Sequence, residues 1–162
     1  MPSGFSIRNN VHPYIADFDF DRLYCAAHIN VNKAQLSAGT LGAGNHFIEV
    51  DQDTDKNTYL VIHSGSRHLG KEVTEYYLKE GQKLLKSQNI SIPYELTYLE
   101  GMLKDFYIHD LTIVQEYARI SRETLDEAPF AYRDIADMKD VIGDTVNIDK
   151  VIHPIYNYKA SK

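Results

Sequence analysis

Tryptophan is absent from the 162-residue sequence, and cysteine occurs once, at Cys25. A single cysteine excludes an internal disulfide and is typical of a reducing compartment, so we expect a cytoplasmic protein. Apolar runs long enough to span a bilayer are also absent, and the opening residues, MPSGFSIRNN, lack the apolar core of a secretory signal. We therefore expect no membrane partner.

Basic residues are outnumbered: 17 lysines and arginines against 23 aspartates and glutamates give a net charge of −6. This balance argues against a broad basic face of the kind that binds nucleic acid along its length. It leaves room for a local phosphate site, because a few cationic side chains and a metal ion can hold one phosphate in an acidic protein. Neither a GxGxxG dinucleotide motif nor a Walker-type GKS or GKT motif occurs.

The hydrophobic pattern predicts a mixed α+β fold with a sheet and flanking helices. Alternation at Phe18 and Phe20, and again near Ile29 and Val31, suggests short strands in the first part of the chain. The segments HFIEV and TYLVIH read as two strands joined by the polar turn DQDTDKN. The continuous apolar run before His63 is typical of a buried strand, so His63 should lie where that strand ends.

Helical periodicity begins after Gly70, with Gly81 as a weak position inside the first helix. A longer helix steps by three or four residues from Met102 and ends near Leu125. A short helix is predicted over 132–142. The tail is rich in β-branched residues and tyrosine but contains Pro154, so it is predicted as a strand at a sheet edge.

Two glycine-rich segments, GTLGAGNHFIEV and HSGSRHLG, each carry a histidine beside an apolar run. His46 and His63 are 17 residues apart on the predicted strand pair, where neighbouring strands lie about 4.8 Å apart. Their imidazoles can therefore converge on one metal ion or on two ions close together. The serines, backbone amides and Arg67 of SGSR suit a phosphate, while Asn45 and Glu49 flank His46 and could contact a nucleotide or fix the imidazole tautomer.

A plainer interpretation of these residues stays open. Isolated histidines are usually surface or satisfied core residues, and two alone form an incomplete metal site. Glycine-rich turns usually serve the backbone, and no Ser–His–Asp triad can be identified without geometry.

The two segments resemble the RtcB family of RNA-splicing ligases, whose signatures read GTLGGGNHFIE and HSGSRGLG. Further likenesses cover most of the chain: MPSGF is similar to the family's IPxGF, YIHDLTIVQEYARISR to its D…AxYAxxNR helix, DEAPFAYRDI to DEAPxAYKDI, and HPIYNYKA to the final P…KG. The resemblance implies a single truncated RtcB-like domain, in which residues 1–125 match the central region and residues 126–162 match the family C-terminus.

The implied activity is GTP- and manganese-dependent joining of RNA ends, as in tRNA splicing and RNA repair. An end with a 3′-phosphate or 2′,3′-cyclic phosphate is activated by guanylylation and attacked by a 5′-hydroxyl. By position, the resemblance implies the following roles: metal ligation by His46 and His63, nucleotide contacts by Asn45, Glu49, Tyr132 and Lys159, and an RNA phosphate contact by Arg67.

The sequence also departs from the family pattern. The family's DxGCGM element is not found, and Cys25 lies outside that context, so a small buried residue is its expected role. Only three residues separate Arg122 from Asp126, where the family carries an HN ligand and an HGAGR segment with the guanylylated histidine. His153 is not in a context to replace either. Ala43 and His68 stand where the family has glycine.

No catalytic residue can therefore be identified, and we expect the chain to be inactive or incomplete as a ligase by itself. The alternative hypothesis is a catalytically dead remnant that acts as a metal-, nucleotide- or RNA-binding or regulatory module. Loss of core segments would leave apolar faces exposed, which favours association with a second copy or with another ligase-like chain. A small metal-dependent hydrolase would need a third protein ligand, and none is found.

Overall fold

The computed structural model describes residue 3, residues 5–126 and residues 151–152. It is an α+β structure, as predicted. Four α-helices, three strands and three short 3₁₀ turns occur in this part of the chain. The helices are α1 (Pro13–Ala16), α2 (Val31–Ser37), α3 (Arg67–Ser87) and α4 (Gly101–Asp126), the strands are β1 (Phe47–Gln52), β2 (Thr58–His63) and β3 (Val151–Ile152), and the turns are Phe20–Arg22, Ala26–His28 and Tyr94–Leu96.

The strands predicted near the start of the chain are wrong, because this region is helical. Pro13 occupies the first turn of α1, where its missing N–H costs nothing, and the His12 side chain accepts the Tyr14 N–H at 3.3 Å. The Asn30 side chain caps α2 by accepting the Lys33 N–H at 3.0 Å. Capping chemistry therefore decides the local structure where the apolar alternation is too short to do so.

The predicted hairpin is confirmed. β1 and β2 pair antiparallel in a register that runs from Phe47 opposite His63 to Gln52 opposite Thr58. The turn between them is closed by Asp53, whose Oδ1 accepts the Asp55 and Asn57 N–H groups at 2.9 Å each. β3 pairs with β2 in parallel at the sheet edge, as predicted for the tail. The helix predicted over 132–142 and the residues His153 and Pro154 lie outside the described residues.

Both long helices are confirmed, although α3 begins at Arg67, before the predicted start. Together with the segment before the hairpin they enclose the main core, whose largest fully buried members include Ile15, Leu69, Val73, Tyr77, Ile113 and Tyr117. Gly81 is buried in α3, and a Cβ there would lie 2.6 Å from a Leu99 methyl and 2.8 Å from the Thr97 methyl. The glycine that reads as a weak helical position thus permits close packing of the 97–99 segment.

Asp110 of α4 is fully buried and holds the 3₁₀ turns against the long helices. Its carboxylate accepts the Tyr24 N–H at 2.9 Å, the Cys25 N–H at 3.2 Å and the Tyr77 hydroxyl at 2.7 Å, and lies 3.1 Å from His109 Nδ1. Burial alone would raise the pKa of Asp110, but these donors lower it below its usual value.

Cys25 is a buried core residue, as predicted. Burial, followed by the neighbouring Asp110, raises the pKa of its thiol to about 12, so the thiolate that binds metals is disfavoured. Within the described residues, no helix is both long enough and apolar enough to cross a membrane.

Candidate functional site

The hairpin brings the two predicted histidines together. His46 immediately precedes β1 and His63 ends β2, and the Phe47–His63 register places them side by side. Their ring centres are 6.1 Å apart. Phe47 stacks on His63 with ring centres 5.2 Å apart and planes at 12°. Asn45 Nδ2 lies 3.4 Å from His63 Nε2, a long contact.

His46 lies between two glycines. A Cβ on Gly42 would lie 2.0 Å from His46 Nδ1, and a Cβ on Gly65 would lie 3.8 Å from His46 Nε2. Nδ1 is buried and makes no hydrogen bond to any described residue. Burial, and then the electrostatic effect of the neighbouring Arg67 and His63, lower the pKa of His46. The ring is therefore held in the neutral form, which is the form that binds a metal ion.

Arg67 completes the positive side of the pocket. It is the first residue of α3 and has φ of +52°, an uncommon conformation for a residue with a side chain. Its Nε donates to the buried Thr40 hydroxyl at 2.9 Å. Its Nη1 is so close to Gly42 that a Cβ on that residue would lie only 2.0 Å from it. The guanidinium thus lies beside His46, although burial lowers its pKa from the ordinary value.

The remaining predicted site residues divide into two groups. Glu49 is exposed on β1 opposite Val61 and shares its face of the strand with Phe47. Tyr132 and Lys159 lie outside the described residues. The structure therefore brings together Asn45, His46, His63 and Arg67, with Glu49 on the adjoining strand face.

The described residues fit only part of a metal coordination sphere. Two imidazoles supply two nitrogen ligands. Their ring centres are 6.1 Å apart, which suits one imidazole on each of two metal ions that lie about 3.5–4 Å apart. Within the described part of the chain, no group of three or more His, Cys, Asp or Glu side chains is placed to hold a metal ion. A complete centre would need further ligands.

The backbone around the pocket is held by residues that the motifs did not indicate. Arg8 donates from Nε to the Ala38 carbonyl at 3.1 Å and from Nη2 to the Gly39 carbonyl at 2.9 Å. The Ser64 hydroxyl donates to the Leu41 carbonyl at 3.0 Å. Thr40 lies within the GTLG motif, so the sequence indicated that it belongs near the site. Nothing in the sequence indicated Arg8, because it bonds to a carbonyl 31 residues away along the chain.

Both departures within the motifs are accommodated. Ala43 is exposed and has none of the positive φ angles that its neighbours Gly42 and Gly44 adopt, so its methyl group causes no backbone strain. His68 lies in the first turn of α3, where its Nε2 is 2.7 Å from Glu72 Oε1. The other Glu72 oxygen accepts the Asn30 N–H at 2.8 Å, which joins the start of α3 to the start of α2.

Comparisons with known proteins agree with the motifs. The sequence model of the family described as tRNA-splicing ligase RtcB matches residues 22–126. The RNA-splicing ligase RtcB of Escherichia coli strain K12 is 34% identical over 92 residues, which cover 55% of this chain and 22% of that protein. The tRNA-splicing ligase RtcB of Methanococcus maripaludis is 36% identical over 69 residues, covering 34% of this chain and 14% of that protein.

The chain thus spans about a fifth or less of the curated relatives it matches. No solved structure matches it. The family match covers more than half of the chain and contains both glycine-rich segments, the hairpin and α3 and α4. The chain therefore belongs to the RtcB family of tRNA-splicing ligases.

Proposed function

We propose that this chain carries the phosphate-binding part of an RtcB-type RNA ligase site. Its ligands would be RNA ends with a 3′-phosphate or 2′,3′-cyclic phosphate and a 5′-hydroxyl, with GTP and Mn²⁺ as cofactors. The observation that carries the proposal is that His46 and Arg67 meet at Gly42 while the His63 ring lies 6.1 Å from the His46 ring. A cytoplasmic location and a single RtcB-like domain over residues 1–162 belong to the same proposal.

Manganese would be held by the imidazoles of His46 and His63. Mn²⁺ accepts nitrogen and oxygen ligands, and a lowered pKa favours the neutral His46 ring, which has one unprotonated nitrogen to bind a metal ion. When bound, such ions neutralise phosphate charge and polarise the phosphorus. Because the described residues supply an incomplete ligand set, further ligands would come from another segment or another chain.

Arg67 would hold the RNA terminal phosphate. Its Nε donates to the Thr40 hydroxyl, and its Nη1 lies close to Gly42, beside His46. A planar fork binds two phosphate oxygens at once, whereas a lysine ammonium acts as a point charge. Asn45, Glu49, Tyr132 and Lys159 would contact the guanine nucleotide.

The test compares two RNA oligonucleotides that differ only in a 3′-phosphate or a 3′-hydroxyl, with Mn²⁺ present. We expect tighter binding of the phosphorylated end, a loss of that preference in Arg67→Ala and partial retention in Arg67→Lys. Lys71→Gln removes an exposed charge from the same helix and is the matched control. Equal binding of the two RNAs by the unaltered chain would show that this pocket does not hold the terminal phosphate.

A second candidate function is a binding or regulatory module without ligase chemistry. It is favoured by the absence of a third metal ligand among the described residues and by the short Arg122–Asp126 interval, where the family carries its guanylylated histidine. Incubation with labelled GTP and Mn²⁺ separates the two functions. A covalent guanylyl adduct on this chain would reject the module, whereas binding of GTP and Mn²⁺ without an adduct would support it.

A further inference from the structure

A cavity of about 590 Å³ lies between the start of α3 and the side of α4 that carries Val114, Ala118 and Arg122, next to the histidine pocket but separate from it. Ser64, Gly65 and Ser66 line it on the α3 side, and its α4 side includes Gln115, Ala118 and Arg122. Gly65 adjoins both spaces, since its Cβ position is 3.8 Å from His46 Nε2. We call this space the α4 cavity.

Arg122 is a buried cation that forms no ion pair within the described residues, although the carboxylate of Glu123 acts on it at longer range. Its side chain is nine-tenths buried, and its Nη1 donates to the Ser64 carbonyl at 3.1 Å. Its Nε is buried and bonds to no described residue, and no carboxylate in the described part of the chain forms an ion pair with it. A buried charge of this kind is costly unless an opposite charge compensates it.

The other charges around the cavity are already paired. Glu116 forms an ion pair with Arg22 at 2.9 Å, and Arg119 pairs with Glu123. The start of α3 adds to the positive potential, because this 21-residue helix begins at Arg67 and the side chain of its N-cap residue, Ser66, makes no capping hydrogen bond. The cavity therefore combines a helix N-terminus with a guanidinium that forms no ion pair among the described residues, which is an arrangement that attracts anions.

We propose that the α4 cavity binds a phosphate group, as a second anion site beside the histidine pocket. The volume exceeds that of a phosphate alone and lies in the range of small-molecule sites, so the phosphate of a nucleotide fits. Val114 and Ala118 supply an apolar wall for the remainder of such a ligand. The site depends neither on a metal ion nor on the RNA-end proposal.

The test is an NMR titration of the full chain at constant ionic strength with inorganic phosphate, uridine 3′-monophosphate and uridine. The reporters are the Thr112 methyl and the Gln115 side-chain amide, which line the α4 cavity. We expect saturable shifts with both phosphates and none with uridine. Tighter binding of the nucleotide than of inorganic phosphate would identify a nucleotide phosphate as the ligand, and equal binding would identify free phosphate.

Two variants remove the site in different ways. Ala118→Phe fills the cavity and leaves Arg122 in place. Arg122→Lys keeps the positive charge but loses the planar guanidinium. Each change should weaken phosphate binding about tenfold or more. Lys71→Gln should change it by less than about twofold. Unchanged binding in Ala118→Phe, or no saturable shift in the unaltered chain, would overturn the proposal. His46→Ala should leave these shifts intact, so a failure of the histidine pocket is distinguished from a failure of this site.

Discussion

Replacing Gly42 by alanine is the sharpest perturbation of the histidine pocket, because the neighbouring Gly44 provides a matched control. Both glycines adopt a positive φ, +98° at Gly42 and +78° at Gly44. An alanine at either position therefore pays a similar backbone cost, about 1–2 kcal/mol. The two positions differ in what a new methyl group meets.

At Gly44 a Cβ would have no atom within 4 Å, whereas at Gly42 it would lie 2.0 Å from both His46 Nδ1 and Arg67 Nη1. The His46 ring is confined by Gly65 on its other side, and the Arg67 guanidinium is held by Thr40. If neither group moves, steric overlap adds about 1–3 kcal/mol to the backbone cost. If they do move, the stability loss is smaller but the pocket is dismantled.

Two measurements decide the outcome. Urea denaturation should show a loss of about 1–2 kcal/mol for Gly44→Ala and about 2–5 kcal/mol for Gly42→Ala. Binding of Mn²⁺ and of 3′-phosphorylated RNA, measured well below the denaturation midpoint, should persist in Gly44→Ala and be lost in Gly42→Ala. The reasoning is refuted if both variants bind like the unaltered chain, because the pocket would then not be formed by the contacts around Gly42.

Three further predictions concern the fold. Asp110→Asn should destabilise the chain by about 3 kcal/mol in urea denaturation, since its amide would face buried donors with a donor of its own. The folded pKa of Asp110 is below its unfolded value of 3.8, so its contribution to stability is present above about pH 4 and is lost as the pH falls through the folded pKa. Asp110→Asn should therefore make the free energy of unfolding depend less on pH in acid. An unchanged pH dependence in acid would exclude Asp110 as its source. Gly81→Ala should lower the melting temperature although alanine is the better helix former, because its methyl would lie 2.6 Å from Leu99, and a higher melting temperature would contradict the close packing of α3.

The hairpin and the long helices could be predicted because their signals are local and repeated. β1 and β2 are separated by a polar turn that Asp53 closes by itself, so the register that joins His46 to His63 follows from a short stretch of chain. α4 is 26 residues long, so its apolar residues repeat at the helical period often enough to be recognised in the sequence.

The segment before α2 was predicted wrongly because two phenylalanines spaced two apart fit a strand and a 3₁₀ turn equally well. Phe18 and Phe20 pack against each other, with ring centres 4.8 Å apart, and both pack on Tyr117 of α4. That contact joins residues nearly a hundred positions apart, so no local pattern reports it. The same reason hid the role of Arg8, whose bonds to the loop carbonyls depend on the completed fold.

The electrostatics of the site show why the net charge of the chain is a poor guide to its ligands. The chain is acidic overall at −6, yet Arg8 and Arg122 donate to the backbone carbonyls of residues 38, 39 and 64 and form no ion pair with a described carboxylate. A backbone carbonyl has no net charge, so an arginine that donates a hydrogen bond to it keeps its full positive charge. These bonds occur around the loops that carry His46 and Arg67, so positive charge is concentrated there although the chain is acidic overall. Under the proposed function, this local positive charge would draw a phosphate to these loops in spite of the acidic net charge.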